Sequence, residues 1–215
     1  MAADIDNLTR GERTRQAILD AAESLFLTNG YHGTSMRQIA KKAGDIAVGG
    51  IYNHFPNKEE IFHALLESRS PYPAIFETLD SLEGNSAPEL LTEALIQVQT
   101  VIREHMSFFG LLIIDVNEFD GQSIRGMIDQ IIPSIIAFAG RLREAGGIRE
   151  DINVLVLIRI FASIIIGFTI TNLVAFAPDG KPMLANMAGS EFLSWEEEII
   201  NILLTGIADT KEAAS

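Results

Sequence analysis

Nineteen consecutive residues, Ile160 to Pro178, carry no charge. A run of that length meets the criterion for a helix across a bilayer. A chain containing it must either span a membrane or bury one helix on every side. The flanks favour burial. Arg149-Glu150-Asp151 before the run and Asp179-Gly180-Lys181 after it show no excess of positive charge and no Trp or Tyr belt. A helix apolar all round in water needs a core on one side and a second subunit on another. Arg159, Ser163, Gly167 and Thr171 recur at every fourth position, a small or polar stripe suited to close helix packing. No membrane partner is expected.

The rest of the chain reads as helices punctuated by caps. Thr9 with Glu12 forms a capping box ahead of a stripe at Ile18, Ala21, Ala22, Leu25 and Phe26, which Asn29-Gly30 ends. Ser35 with Gln38 opens a second, short helix through Ile39 and Ala43, broken by Gly44-Asp45. A third should run from about Ala47 to His54. Asn57 caps a fourth, with Glu60 at the reciprocal position, and Ser70-Pro71-Tyr72-Pro73 bends or ends it. Further helices are expected from Ser86 through Ile102, over Met106–Ile114, and from Ile124 to Leu142 with a kink at Pro133. Ile152–Ala177 and a last helix from Ser190 or Ser194 to Ile207 complete the set. No strand alternation and no internal repeat is present. The fold class is all-α, with about nine helices.

Charge and composition narrow the function. With 215 residues and no cysteine, disulfide frameworks, thiolate metal sites and cysteine nucleophiles are excluded. The polar start, without the apolar core of a signal peptide, fits a cytoplasmic protein. The net charge of −13 argues against nucleic acid until its distribution is considered. Residues 9–58 hold seven Lys or Arg against four acids, whereas residues 61–215 hold nine against twenty-one. A mildly basic head is joined to an acidic body. The four histidines (His32, His54, His63, His105) match no metal-ligand spacing on one helix face. No nucleophile elbow is present. The chain reads as no enzyme, with no metal and no cofactor.

Residues 34–55, two short helices around a glycine-containing turn behind a longer helix, have the helix-turn-helix arrangement, whose second short helix can lie in a major groove. The pieces are specific. Phe26, Gly30-Tyr31, Thr34-Ser35-Met36-Arg37-Gln38-Ile39-Ala40, Ala43-Gly44, Gly49-Gly50-Ile51-Tyr52-Asn53-His54-Phe55 and Lys58-Glu59-Glu60 closely resemble the DNA-binding head of the tetracycline-repressor-like (TetR) family of bacterial regulators. The resemblance spans about a quarter of the chain and implies a head over residues 1–57, with a ligand-binding and dimerisation body over 58–215. One departure stands out. Gly44-Asp45-Ile46-Ala47-Val48 between Ala43 and Gly49 is one residue longer than the family's usual spacing, and Asp45 is the apparent insertion. As a good N-cap residue it is expected to cap the recognition helix.

The residues suit that role. Gly49 and Gly50 each cost a helix about 1 kcal/mol relative to Ala, but let backbone approach a groove wall. Tyr52 and His54 offer polar tips to phosphate oxygens. Thr34, Ser35 and Lys58 lie at helix starts, where anions are favoured. Arg37 can reach a base edge or a phosphate. By resemblance Ala47, Val48, Gly49, Gly50 and Asn53 face the groove, with Val48 matched to a thymine methyl and Asn53 to a base or phosphate.

The resemblance also implies a homodimer through the last two helices, Ile152–Ala177 and Ser194–Ile207, on a palindromic double-stranded operator, with a small-molecule effector bound in the body that releases DNA. Candidate lining residues are Phe76, Met106, Phe108, Phe109, Met127, Ile131, Phe138, Phe161 and Phe168; each also reads as plain core. Aromatic and Met residues with few charges imply an apolar or amphipathic effector. Arg103, His105 and Asn172 are candidate polar anchors. The expected function is a ligand-responsive DNA-binding regulator that represses. The alternative, raised by the longer turn and the acidity, is a helical small-molecule or lipid carrier with a head that no longer binds DNA.

Overall fold

The computed structural model describes residues 9–175 and 205–206, except the side chains of Ile128, Phe168 and residues 171–175. Among the described residues there are nine α-helices and no strand. They are α1 (Arg10–Asn29), α2 (Met36–Lys42), α3 (Val48–Tyr52), α4 (Lys58–Ser68), α5 (Tyr72–Ser81), α6 (Ala87–Glu104), α7 (Met106–Phe119), α8 (Gln122–Ala145) and α9 (Val154–Ala175). The expected helix ending at Ile207 lies outside the described residues except for Thr205 and Gly206, which are helical.

The chain forms two compact units. One holds Met1–Ser70 and His105–Asp129; the other holds Pro71–Glu104 and Gln130–Ser215. The unit containing the helix-turn-helix thus continues beyond residue 57 to take in α4, α7 and the start of α8.

In the first unit α1 is the spine. Both halves of the Thr9–Glu12 capping box form, and Ile18, Leu19, Ala21, Ala22 and Phe26 are buried. The buried set follows the 3.6-residue period, so one face of α1 receives α2, α4 and α7. Phe62 of α4 meets Phe26 edge-on at 5.7 Å and stacks on Phe119 of α7 at 5.0 Å. Such aromatic pairs add about 0.5–1.5 kcal/mol beyond their area burial. A Cβ on Gly110 of α7 would meet only the tip of the exposed Leu27 side chain of α1, at 2.7 Å. Arg69, just past α4, donates to Glu23 at 2.8 Å and to Asp20 at 2.5 Å, tying α4 back along α1.

In the second unit α6 packs against α5 and α9. Leu90, Leu91, Leu95, Val98 and Ile102 form its buried stripe. On α9, Val154, Leu157, Phe161 and Ile165 are buried, while Leu155, Val156, Ile160, Ile166 and Ile170 are exposed. Helical spacing sets these groups on opposite sides. The helix is apolar on both faces, as the uncharged run requires, and the described residues cover only one of them. Among the described residues, no helix is long and apolar enough to cross a membrane.

One feature departs from expectation. Residues 72–81 form a helix where the Pro-rich segment reads as a stop. Pro71 is its N-cap and Pro73 stands in its first turn, where a missing N–H costs no hydrogen bond. Pro133 lies inside α8, which runs through it as expected.

Candidate nucleic-acid interface

The head is built from its caps inward. Ser35 Oγ accepts from Gln38 N, and Gln38 Oε1 accepts from Ser35 N at 2.8 Å, closing the α2 capping box. Ile39 and Ala40 of α2, Ile51 of α3 and Phe55 beyond it are buried. This apolar wedge fixes how α3 leaves α2. Arg15 of α1 stacks its guanidinium over the Phe55 ring at 4.9 Å.

The turn between α2 and α3 corrects the expectation for Asp45. It does not cap α3, whose N-cap is Ala47 with no side-chain bond. Instead Gly44 (φ +106°) and Asp45 (φ +56°) are both left-handed and close the end of α2. Asp45 N donates to Lys41 O and Ile46 N to Ala40 O, each at 3.1 Å. These bonds satisfy carbonyls that a helix end leaves orphaned. The extra residue is absorbed in the C-cap, and α3 starts after it.

The candidate contact residues fall into two groups. Ser35, Arg37, Ala47, Gly49, Tyr52 and Asn53 are exposed, and Val48, Gly50 and His54 half-buried. Tyr52 is 53% exposed, too open for a packed core tyrosine. Gly49 and Gly50 have ordinary negative φ, and a Cβ on either would meet nothing within 4 Å. Nothing inside the described protein requires them to be glycine.

Thr34 and Lys58 turn inward. Thr34 is 2% exposed, and its hydroxyl donates to Gly30 O at 2.9 Å. Lys58 Nζ donates to the carbonyls of Tyr31 at 2.6 Å and Thr34 at 2.8 Å, and lies 4.0 Å from the Tyr31 ring centroid. Burial pushes its ammonium pKa below the usual lysine value, against the attraction of Glu118. These two residues shape the loop between α1 and α2. Sequence spacing gave no sign of this, because the partners of Lys58 are carbonyls more than twenty residues away. Lys42 too reaches a partner distant in sequence, donating to Ser24 Oγ, eighteen residues away, at 2.7 Å.

The candidate effector residues divide between the units. His105, Met106 and Met127 (half-buried) and Phe108 and Phe109 (buried) belong to the first. Phe76 and Ile131 (half-buried), Arg103 (exposed) and Phe138 and Phe161 (buried) belong to the second. The side chains of Phe168 and Asn172 lie outside the described residues.

Residues 18–65 match the family model for bacterial regulatory proteins of the tetR family. The chain is 27% identical over 171 residues to the HTH-type transcriptional regulator UidR of Escherichia coli K12, covering 76% of this chain and 84% of UidR. It is 45% identical over 58 residues to the HTH-type transcriptional regulator SrpR of Pseudomonas putida, 27% of each chain. Among solved structures, Salmonella enterica GusR superposes with a TM-score of 0.63 at 25% identity, over 92% of this chain and 98% of GusR. The head match lies on the helix-turn-helix built above, and the UidR match extends well into the helical body. The chain is a DNA-binding transcriptional regulator whose head, residues 18–65, is that of the tetR family of bacterial regulatory proteins.

Proposed function

We propose that α3 docks in the major groove through Ala47, Val48, Gly49, Gly50 and Asn53, while Ser35, Arg37, Tyr52 and His54 engage the flanking phosphates. The observation that carries this reading is the Gly49-Gly50 pair. Two glycines in a five-residue helix oppose its formation by about 1 kcal/mol each. No neighbour in the fold occupies the space their side chains would fill. A groove wall approached by bare backbone supplies the missing reason. Thr34 and Lys58 act at one remove, by holding the Tyr31–Thr34 loop from which α2 starts.

The protein acts as a homodimer in the cytoplasm, through α9 and residues 194–207. The exposed apolar face of α9, Leu155, Val156, Ile160, Ile166 and Ile170, supports this. It is the kind of surface that homodimer interfaces cover. Two recognition helices one DNA turn apart, roughly 34–36 Å, then read a palindrome. An apolar or amphipathic effector in the body binds one spacing of the heads better than the other and releases DNA by that difference alone, which relieves repression.

Selection of a randomised duplex library by the purified protein at two salt concentrations tests the docking. An enriched palindrome whose affinity falls steeply with salt is expected. Absence of enrichment at low salt would refute it.

A further inference from the structure

The second unit contains an amide in the wrong surroundings. Gln99 stands on α6 with Leu95, Val98 and Ile102, is 7% exposed, and its side-chain nitrogen is buried with no hydrogen-bond partner. A buried amide nitrogen without a partner opposes folding, since it has left bulk water and gained no hydrogen bond. An apolar side chain of the same volume would serve the core better. A bound molecule that accepts from this nitrogen would offset the cost.

A second observation concerns the neighbouring helix. α5 packs against α6 and carries a helical apolar stripe, Tyr72, Ile75, Phe76 and Leu79. Yet none of its ten residues is buried. Arg141 holds the end of this helix, donating to the carbonyls of Leu79 and Asp80 and, at 2.6 Å, of Leu82. The α5–α6 pair is therefore fixed at its end while its apolar surface stays only partly covered. That combination suits an apolar guest with one polar atom.

We propose that Gln99 is the polar anchor of the effector site, and that the effector is an apolar molecule bearing a hydrogen-bond acceptor, a carbonyl or carboxylate oxygen, which receives the Gln99 side-chain N–H. This rests on the reading of the protein as effector-responsive and adds the chemistry of the effector. It makes Gln99 a determinant of specificity. A site built around an unpaired donor discriminates against a ligand lacking the acceptor, because the donor then stays unpaired.

The test uses two probes of nearly equal shape, 2-acetylnaphthalene, which has a carbonyl, and 2-ethylnaphthalene, which does not. Binding is followed by probe fluorescence on the full chain. The wild type is expected to bind the acetyl compound at least about fivefold more tightly. Gln99→Leu and Gln99→Met should bind both probes alike, by losing affinity for the acetyl compound and keeping or gaining it for the ethyl compound. Gln99→Met keeps the side-chain length should the leucine variant not fold. Equal binding of both probes to the wild type, or a preference that survives in both variants, overturns the role of Gln99 while leaving an apolar effector site intact. Failure of the wild type to bind either probe overturns the apolar effector site itself, and with it this proposal.

Discussion

Lys58 Nζ lies 4.0 Å from the centre of the Tyr31 ring and donates to the Tyr31 carbonyl oxygen at 2.6 Å. A cation that caps an aromatic face and two loop carbonyls is a structural fastener, although its position in the sequence is that of a phosphate contact. The distinction is measurable. Lys58→Met should destabilise the head by about 1–3 kcal/mol, the cost of leaving carbonyls without their donor. Operator affinity should fall, yet the slope of log affinity against log salt should stay at the wild-type value, since no phosphate contact is removed. A slope reduced by about one would mean that the ammonium reaches DNA after all.

The glycines of α3 make the opposite prediction. Gly49→Ala and Gly50→Ala have open space for the new methyl group. Each should leave thermal stability unchanged or raise it by up to about 1 kcal/mol through helix propensity. Each should still weaken operator binding by tenfold or more, as a Cβ enters the space a groove wall must occupy. Stability and affinity moving together in these variants would argue that the glycines serve the fold and not the docking.

Tyr52 separates the same two roles by a single atom. Its ring is more than half exposed, so Tyr52→Phe should not change the melting temperature. Loss of one hydroxyl–phosphate bond should reduce affinity about three- to tenfold for every duplex alike, because phosphate carries no sequence information. Asn53→Ala should instead change the preferred base at one position of the selected palindrome.

How far the sequence alone reached depends on the range of the interaction. The capping boxes at Thr9 and Ser35 and the cap at Asn57 were legible, since donor and acceptor lie three residues apart and the chemistry is local. The buried faces of α1 and α6 followed from periodicity. The α5 helix was not legible, because Pro71 and Pro73 read as breakers unless the helix is known to start between them. The inward turn of Lys58, the stacking of Arg15 on Phe55 and the grip of Arg141 on the end of α5 all join residues distant in sequence. No spacing rule encodes them. Asp45 failed for a subtler reason. Asp favours both N-caps and left-handed turns, and the preceding Gly44 decided for the turn.

That turn yields a prediction of its own. Asp45 holds φ at +56°, a conformation that suits Gly better than Asp and Asp far better than a β-branched residue. Asp45→Gly should keep or slightly raise stability, and should strengthen DNA binding by removing a negative charge from the phosphate side of the head. Asp45→Val should destabilise by about 1–2 kcal/mol. Deleting Asp45 should be worse than either for folding, since the bond from Ile46 N to Ala40 O depends on both left-handed residues. Thermal melts of the three variants, with affinity for the selected palindrome, check the order. Tighter binding and undiminished stability in the deletion would show that the inserted residue burdens the head, and that the α2–α3 turn closes as well without it.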